Sequence, residues 1–340
     1  MSIKTHFIQA LMQRSTVNML MLLSVLLSGL ILSLYAQSQF PLQATDLWQS
    51  FSAPDINNIK HQVIITLRLP RTLSACLIGF NLGIAGALMQ GLTRNPLASP
   101  TLFAINSGAA CLMALNSIGF ALITDMPIEV ATFLGALTGG VLVFFLGGGL
   151  SSNNNSLRLI LAGIAINALL TSLTRAVLII SDDRAYSIMH WLSGSLSEVD
   201  WQSWSQLWPV SLVAILLAIS TCRGLNLNAL GEQTASNLGV NITSLRLRIC
   251  LAVLLLTAIS VTIAGPIGFI GLIAPHITRT LFNHNHFIVI PASGLLGGAL
   301  VSWADLLSRF IAPPAETPVG IVTALIGTPF FIYLILKGKT

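Results

Sequence analysis

Long apolar runs separated by short polar connections are the dominant pattern along the chain. Most of these runs approach the roughly 20 residues that a helix needs to cross a hydrocarbon core about 30 Å thick. They do not show the strict alternation of polar and apolar residues that is typical of barrel strands, so helices satisfy the backbone in lipid. The pattern predicts an all-α polytopic membrane protein with about ten transmembrane helices, near residues 17–35, 70–91, 100–123, 127–147, 157–180, 205–222, 245–264, 269–283, 289–308 and 317–336.

Composition supports this prediction. The 340 residues are 54% hydrophobic and only 8% charged, and their mean hydropathy is +0.84. Soluble domains carry about 25% charged residues, so this chain has too few charges to cover a globule with a solvated surface. We therefore expect a single transmembrane domain over residues 1–340, in contact with membrane lipid. Basic residues do not cluster with aromatic ones, which argues against nucleic acid as a partner.

The placement of Lys and Arg predicts the orientation, because cytoplasmic loops are enriched in these residues. With the N-terminus in the cytoplasm, the inner ends and loops hold Lys4, Arg14, Arg94, Arg158, Arg223, Arg246, Arg248, Arg279, Lys337 and Lys339. The outer ends and loops then hold Lys60, Arg68, Arg71, Arg175, Arg184 and Arg309. An even number of spans returns the C-terminus to the cytoplasm as well.

Two apolar segments are interrupted by proline and glycine, one in each half of the chain. They are NPLASP (95–100) and GPIGFIGLIAP (265–275). Matched interruptions of this kind are typical of transporters with internal repeats, so we expect short or broken helices at both places.

The longest polar segment that the orientation assigns to the cytoplasm is 222–248. Within it, ALGEQTASNLG has the pattern of a short amphipathic helix, with Leu230 and Leu238 as apolar contacts and Gly239 at its end. Such a helix is suited to a groove on a soluble partner, and an ordinary connecting loop is the alternative.

Motifs for catalysis, cofactors and metals are not found in the sequence. The C-terminal LILKGKT has Tyr333 where a phosphate-binding loop requires glycine. The four cysteines lack metal or redox spacing. His284 and His286 are interpreted as part of a solvated loop rather than as metal ligands. Asp305 stands four residues before Arg309, a spacing that favours a local ion pair on one helix. We therefore expect no enzyme activity, no cofactor and no metal site.

Four segments together resemble the FecCD-type permeases, the membrane subunits of ATP-driven importers for iron–siderophore complexes, haem and cobalamin. They are RLPRTLSACLIGFNLGIAGALMQGLTRNPLASPTLFAINSGAA (68–110), LGEQTASNLGV (230–240), AGPIGFIGLIAPHITR (264–279) and ADLLSRFIAPPAETPVGIVTALIGTPFFIYLI (304–335). The resemblance covers the chain nearly end to end. It implies a type II importer permease fold of ten spans with both termini in the cytoplasm of a bacterial inner membrane.

The resemblance also implies partners. They are a second permease subunit, two ATPase subunits and a periplasmic binding protein; we favour a different permease over a second copy of this chain. The ATPases are expected to receive the cytoplasmic coupling loop 222–248 through its coupling helices, roughly 227–239, in which the residues that match the family motif are Gly231, Glu232, Ala235 and Gly239.

Arginines at the outer rim of these permeases receive glutamates of the binding protein. Arg68, Arg71 and Arg309 stand at those positions. Arginine pairs with carboxylates through two parallel hydrogen bonds, and complementary charges orient docking, so docking is the favoured interpretation. Interaction of the guanidinium groups with lipid headgroups is the alternative.

The expected cargo is a ferric siderophore, with ferric citrate as the named example and cobalamin or haem as alternatives. The resemblance implies that 157–180 is a helix that lines the transport pathway. Arg175 on this helix would favour an anionic chelate, and an ion pair with Asp182 or Asp183 is the alternative. Asn167, Thr171 and Thr174 lie on one face of that helix and suit a wide, weakly binding channel. An ion-coupled secondary transporter is the remaining alternative, although Asp305 is the only intramembrane acid found.

Overall fold

The computed structural model describes residues 2–35, 43–148, 156–181, 184–282, 284–313 and 315–337, and within these ranges the regular structure is helical throughout. The α-helices are α1 (Ser2–Tyr35), α2 (Ala44–Ser52), α3 (Ile59–Gln62), α4 (Leu69–Thr93), α5 (Ile105–Ser117), α6 (Ile128–Leu146), α7 (Ser156–Ile180), α8 (Ala185–Leu192), α9 (Trp201–Ser220), α10 (Cys222–Asn228), α11 (Glu232–Asn237), α12 (Ile242–Ala264), α13 (Ile270–Phe282), α14 (His286–Ile311) and α15 (Val319–Lys337). A π-helical segment (Val63–Arg68) joins α3 to α4, and a 3-10 helix (Pro100–Phe103) precedes α5.

The predicted all-helical class is confirmed, and each of the ten predicted segments overlaps one of these helices. Seven helices among the described residues are long and apolar enough to cross a bilayer. They are Thr16–Tyr35, Ile59–Thr93, Ile128–Leu146, Arg158–Ile180, Trp201–Ser220, Ile242–Ala264 and His286–Ile311. The other three predicted segments correspond to α5 and α13, which have 13 residues each, and to α15, which has 19.

The segment predicted as one helix over 100–123 is shorter than expected. A 3-10 helix precedes α5, which ends at Ser117, and turns follow to residue 127. The Asn116 side-chain amide donates hydrogen bonds to the carbonyl oxygens of Ile123 and Met126, and Gly119 adopts a φ of 76°. These contacts turn the chain back on itself, so the apolar residues 118–123 do not extend the helix.

Helix α4 is the centre of the bundle and packs against α9, α12, α13 and α14. Three of its glycines make this close packing possible. A methyl group on Gly79, Gly83 or Gly86 would lie about 2 Å from a backbone oxygen of α14 or α13, and the shortest of these distances is 1.8 Å, from Gly86 to the Gly271 oxygen. Glycine removes the side chain at each crossing, so the helix backbones are in direct contact.

The predicted interruption at 95–100 is confirmed as a break between helices. The second, predicted over 265–275, is a break only at 265–269, because α13 begins at Ile270 and continues through Pro275. Arg94 and Ala104 have φ values of 51° and 52° at the two ends of the first break. Gly265 and Phe269 have φ values of 68° and 66° at the two ends of the second. Left-handed backbone is rare for residues other than glycine, and it ends the helical hydrogen-bond pattern at these points.

Polar side chains begin several of the helices. The carboxylate of Asp200 accepts hydrogen bonds from the backbone NH of Ser203 at 2.8 Å and from its hydroxyl at 2.8 Å, and thereby caps α9. These bonds, the backbone one first, hold the pKa of Asp200 below its usual value, because they stabilise the charged form. Asn241 and Asn285 cap α12 and α14 in the same way.

Candidate functional site

The three arginines predicted at the outer rim lie at neighbouring helix ends. Arg68 ends the π-helical segment, Arg71 follows Pro70 in the first turn of α4, and Arg309 lies in the last turn of α14. We call these residues, with Asp305, Glu316 and Ser33, the arginine cluster. All three guanidinium side chains belong to buried residues, with exposed fractions of 9%, 9% and 5%.

Asp305 is the centre of the arginine cluster and is fully buried. Its Oδ1 accepts hydrogen bonds from Arg71 Nε at 2.9 Å and Arg71 Nη2 at 2.8 Å. Its Oδ2 accepts a hydrogen bond from Arg309 Nη2, which confirms the local ion pair predicted from the spacing of four residues. One carboxylate therefore joins the beginning of α4 to the end of α14.

Two further contacts complete the arginine cluster. Glu316, in the connection between α14 and α15, forms an ion pair with Arg71 Nη1 at 2.7 Å. The carbonyl oxygen of Ser33 in α1 accepts hydrogen bonds from Arg309 Nη1 at 2.8 Å and from Arg68 Nη1 at 3.3 Å. Sequence reasoning missed these contacts, because the partners lie far apart in the chain and no local pattern joins them.

The predicted coupling loop is two short helices, α10 and α11, joined at Gly231. Gly231 has a φ of 117° and Gly239, after α11, has a φ of 83°, so glycine permits both turns. Helix α12 begins at Ile242, and the connecting segment is therefore 222–241 rather than 222–248. We call 222–241 the connecting segment from here on.

The side chains of the connecting segment divide into an inner and an outer set. Ala235 is fully buried, and both carboxylate oxygens of Glu232 accept hydrogen bonds from Arg246 Nη2 at 2.9 and 3.0 Å. Leu230 and Leu238, by contrast, are 66% and 56% exposed. Leu230 precedes α11 and Leu238 follows it, so the connecting segment exposes an apolar side chain at each end of this helix.

The connecting segment is attached to the start of α14 by polar contacts that the sequence did not reveal. Asn226 Oδ1 accepts a hydrogen bond from the backbone NH of His286 at 2.9 Å and lies 2.8 Å from His286 Nδ1. His286 is buried, so its interpretation as part of a solvated loop was wrong. Among the described residues there is no group of three or more His, Cys, Asp or Glu side chains placed to hold a metal ion.

The arginine cluster and the connecting segment lie at opposite ends of α14. His286 is the first residue of this helix and Arg309 lies in its last turn. The 23 residue steps from His286 to Arg309 correspond to about 35 Å at the usual rise of a helix. This distance exceeds the hydrocarbon thickness of a bilayer, which is about 30 Å.

The predicted pathway residues on α7 differ in their exposure. Asn167 and Arg175 are exposed and Thr171 is half-buried, but Thr174 is buried and its hydroxyl donates to the Leu170 oxygen at 2.9 Å. The alternative partners of Arg175, Asp182 and Asp183, lie outside the described residues.

Two cavities lie elsewhere in the bundle. An open groove of about 710 Å³ runs along α15 and is lined by Asn106, Ser193, Pro266, Gly320 and Thr328, among others. A second cavity, of about 530 Å³, carries Glu129, His190, Glu198 and several hydroxyl groups, among them Ser117, Ser195 and Ser203. None of the four predicted pathway residues lines either of these two cavities.

Comparison with known proteins identifies the family. The model of the FecCD transport family matches residues 12–337. The chain belongs to the FecCD transport family. It is 42% identical to the Fe(3+)-citrate import system permease protein YfmD of Bacillus subtilis over 281 residues, which is 82% of this chain and 83% of that protein. It is also 42% identical to the Fe(3+) dicitrate transport system permease protein FecC of Escherichia coli over 311 residues, 90% of this chain and 92% of that protein.

A solved structure shares the fold of this FecCD chain. It is described as a metal-chelate type ABC transporter in an inward-facing conformation, and it matches with a TM-score of 0.81 and 32% identity over 93% of this chain and 97% of that one. Members of the FecCD family are permease subunits that are not catalytic themselves and are integral proteins of the inner membrane.

Proposed function

We propose that the chain is a membrane permease subunit of an ATP-binding cassette importer that moves a ferric siderophore from the periplasm to the cytoplasm. The observation that carries the proposal is the separation of two surfaces by about 35 Å along α14, one rich in arginine and one apolar. An importer driven by a cytoplasmic ATPase and loaded by a periplasmic protein requires two such surfaces on opposite sides of the bilayer.

The proposed architecture follows the family. It is a single transmembrane domain of ten helices with the type II importer fold and both termini in the cytoplasm. A second permease, which we take to be a different chain, completes the pathway, and two separate ATPase subunits supply the energy. The relatives from E. coli support the use of two permeases, because FecC and FecD are both described as permeases of ferric dicitrate transport.

Arg68, Arg71 and Arg309 are the proposed docking site for acidic side chains of the periplasmic binding protein. Three guanidinium groups and two carboxylates leave the arginine cluster with an excess of one positive charge. A positive, conformationally fixed cluster attracts and orients an acidic partner. Because Asp305 fixes Arg71 and Arg309, little side-chain entropy remains to be lost when the partner binds.

The connecting segment is the proposed contact with the ATPase. Leu230 and Leu238 present the apolar surface, and the turns at Gly231 and Gly239 hold it in place. The ion pair of Glu232 with Arg246 attaches the segment to α12. Movement of an ATPase groove around the leucines would therefore be transmitted to α12.

The proposed cargo is an iron chelate, and ferric citrate is favoured by the names of the two relatives that are 42% identical. Arg175 is exposed on α7, where it is open to contact by an anionic chelate. Asn167 is exposed and Thr171 is half-buried on the same helix, which supports a place for both in the proposed pathway, whereas the buried Thr174 would contribute only after α7 moves.

The proposed function is tested in cells from which the gene has been deleted. We expect uptake of radiolabelled ferric citrate to be lost and to return with a plasmid copy, while uptake of cobalamin and haem is unchanged. Uptake that stops with ATP depletion but continues with a protonophore supports the ATP-driven mechanism. Uptake that depends on the proton gradient alone, or normal uptake in the deletion strain, would contradict the proposal.

A further inference from the structure

The two carboxylates that contact Arg71 differ in how firmly they are held. Asp305 lies on α14, has no exposed surface and pairs with both Arg71 and Arg309. Glu316 lies in the connection between α14 and α15, its side chain is 39% exposed, and it contacts the Nη1 atom of Arg71. Arg71 thus contacts one fully buried carboxylate, that of Asp305, and one solvent-accessible carboxylate, that of Glu316.

This difference determines which carboxylate can be exchanged. Removal of Asp305 would leave two buried guanidinium groups without their shared partner, which is strongly unfavourable. A partly exposed ion pair such as Arg71–Glu316 shifts an equilibrium by only about fivefold or less. An incoming carboxylate can therefore replace Glu316 without disturbing the rest of the arginine cluster.

We propose that Glu316 occupies the position of an acidic side chain of the docking partner, and that docking exchanges one carboxylate for the other on Arg71. The inference rests on the proposed docking role of the arginine cluster. It adds that Glu316 competes with the partner's carboxylate for Arg71. The site takes a carboxylate because Nη1 of Arg71 already binds one at 2.7 Å.

The location of Glu316 gives the exchange a structural consequence. Val319, three residues later, begins α15, and the backbone NH of Gly320 donates to the Gly194 oxygen at 2.9 Å. Gly320 also lines the open groove of about 710 Å³ with Ser193. Release of Glu316 would free the connection before α15, while the bond from Gly320 keeps the start of α15 in place, so docking of an acidic partner would mobilise the chain that borders this groove.

The test measures binding of an acidic probe to the chain in nanodiscs. The probe is fluorescein-labelled hexaglutamate, with labelled hexaglutamine as the uncharged control, at about 50 mM salt so that charges are weakly screened. We expect Glu316→Gln to tighten hexaglutamate binding about two- to fivefold, because the competing charge is gone. Glu198→Gln, which removes a carboxylate from a different site, should change binding less than twofold. Equal effects of the two variants, or weaker binding by Glu316→Gln, would overturn the exchange.

Arg71→Lys separates this inference from the docking proposal on which it rests. Lysine keeps the charge but loses the planar fork that binds two groups at once. If Arg71→Lys weakens hexaglutamate binding and Glu316→Gln has no effect, docking stands and the exchange is wrong. If neither variant changes binding, the arginine cluster does not receive acidic groups and both proposals fail.

A second measurement follows the connection itself. A nitroxide on Ala315→Cys, next to Glu316, should give a sharper spectrum when hexaglutamate saturates the site, because the connection is released from Arg71. Hexaglutamine should leave the spectrum unchanged. A spectrum that does not respond to hexaglutamate would show that Glu316 stays in place and would contradict the exchange.

Discussion

Substitutions of different residues in the arginine cluster should lower the free energy of unfolding by different amounts. Asp305→Asn keeps the shape of the side chain but removes the charge that two buried guanidinium groups share. We expect the free energy of unfolding to fall by about 3–5 kcal/mol, the usual cost of breaking a buried ion pair. Glu316→Gln should cost less than about 1 kcal/mol, because its pair is partly exposed. Thermal unfolding in detergent would measure both, and equal losses would contradict this account of the arginine cluster.

Asp200 should make stability depend on pH. Its pKa is lowered in the folded chain, so it stabilises the fold above the unfolded-state value, near 3.8, and this contribution is lost as the pH falls through the folded-state pKa. Asp200→Asn keeps an oxygen that can cap α9 but cannot titrate. We expect the wild type to exceed this variant in Tm at about pH 6 and to lose the advantage below about pH 4. A difference in Tm that does not change with pH would show that this carboxylate has no special role.

At the residue scale, the sequence predicted the position of the arginines but not their environment. The motif around Arg68 and Arg71, with the resemblance to a family, indicated the outer end of a helix. The pairing of Arg71 with Asp305 joins residues 234 positions apart, and only the packing of α4 on α14 brings them together. The Asp305–Arg309 pair was predictable, because helical spacing alone creates it.

Among the helices, the crossings of α4 should be the least tolerant of substitution. Gly86→Ala would place a methyl group 1.8 Å from the Gly271 oxygen, a backbone atom that cannot move away alone. We expect α4 and α13 to separate and stability to fall by about 3 kcal/mol or more. Gly268→Ala is the matched control, because a methyl group there has no neighbour within 4 Å. The yield of folded monomer and its melting temperature would compare them, and similar values would show that the helices are not in direct contact.

The connecting segment allows a test of coupling that leaves the fold intact. Leu230→Ser with Leu238→Ser removes two side chains that are mostly exposed, so we expect stability to change by less than about 0.5 kcal/mol. Transport should nevertheless fall about tenfold if these leucines bind the ATPase, because burying a leucine side chain contributes about 1.5–3 kcal/mol. Uptake and melting temperature would be measured on the same variant. Normal uptake would exclude the leucines from the contact.

At the element scale, the apolar pattern predicted where helices lie better than where they end. The boundaries of α12 and α14 lie within a few residues of the predicted 245–264 and 289–308. The predicted 100–123 was too long, because the tertiary turn at Asn116 ends the helix while the sequence remains apolar. The predicted coupling loop was also too long, because the two charged residues in the first turns of α12, Arg246 and Arg248, have the polar character of a loop.

For the whole molecule, the exposed face of α7 should contact the cargo. Arg175→Glu reverses a charge that would attract an anionic chelate, and we expect uptake of ferric citrate to fall about tenfold, which corresponds to about 1.4 kcal/mol. Arg158→Glu, at the other end of the same helix, is the matched control and should retain most of the uptake. Uptake rates at several chelate concentrations would separate affinity from turnover. Equal uptake by both variants would exclude Arg175 from the pathway.

The whole-molecule arrangement was only partly predictable from the sequence. Charge placement and motifs predicted that the arginines and the connecting segment face opposite ends, and their positions at the two ends of α14 support this. The two cavities were not predicted, because each is formed by residues from several separate helices. Pro266 and Gly320, for example, come from different parts of the chain.

Helix α14 has a mechanical consequence for the molecule. It is 26 residues long, or about 39 Å, and it touches Asn226 at one end and Arg71 at the other. Its middle, near Gly297, rests on the backbone of α4 with no side chain between them. If α14 tilts as a rigid body about this contact, its two ends move in opposite directions. A tilt of about 5° would displace each end by roughly 1.7 Å.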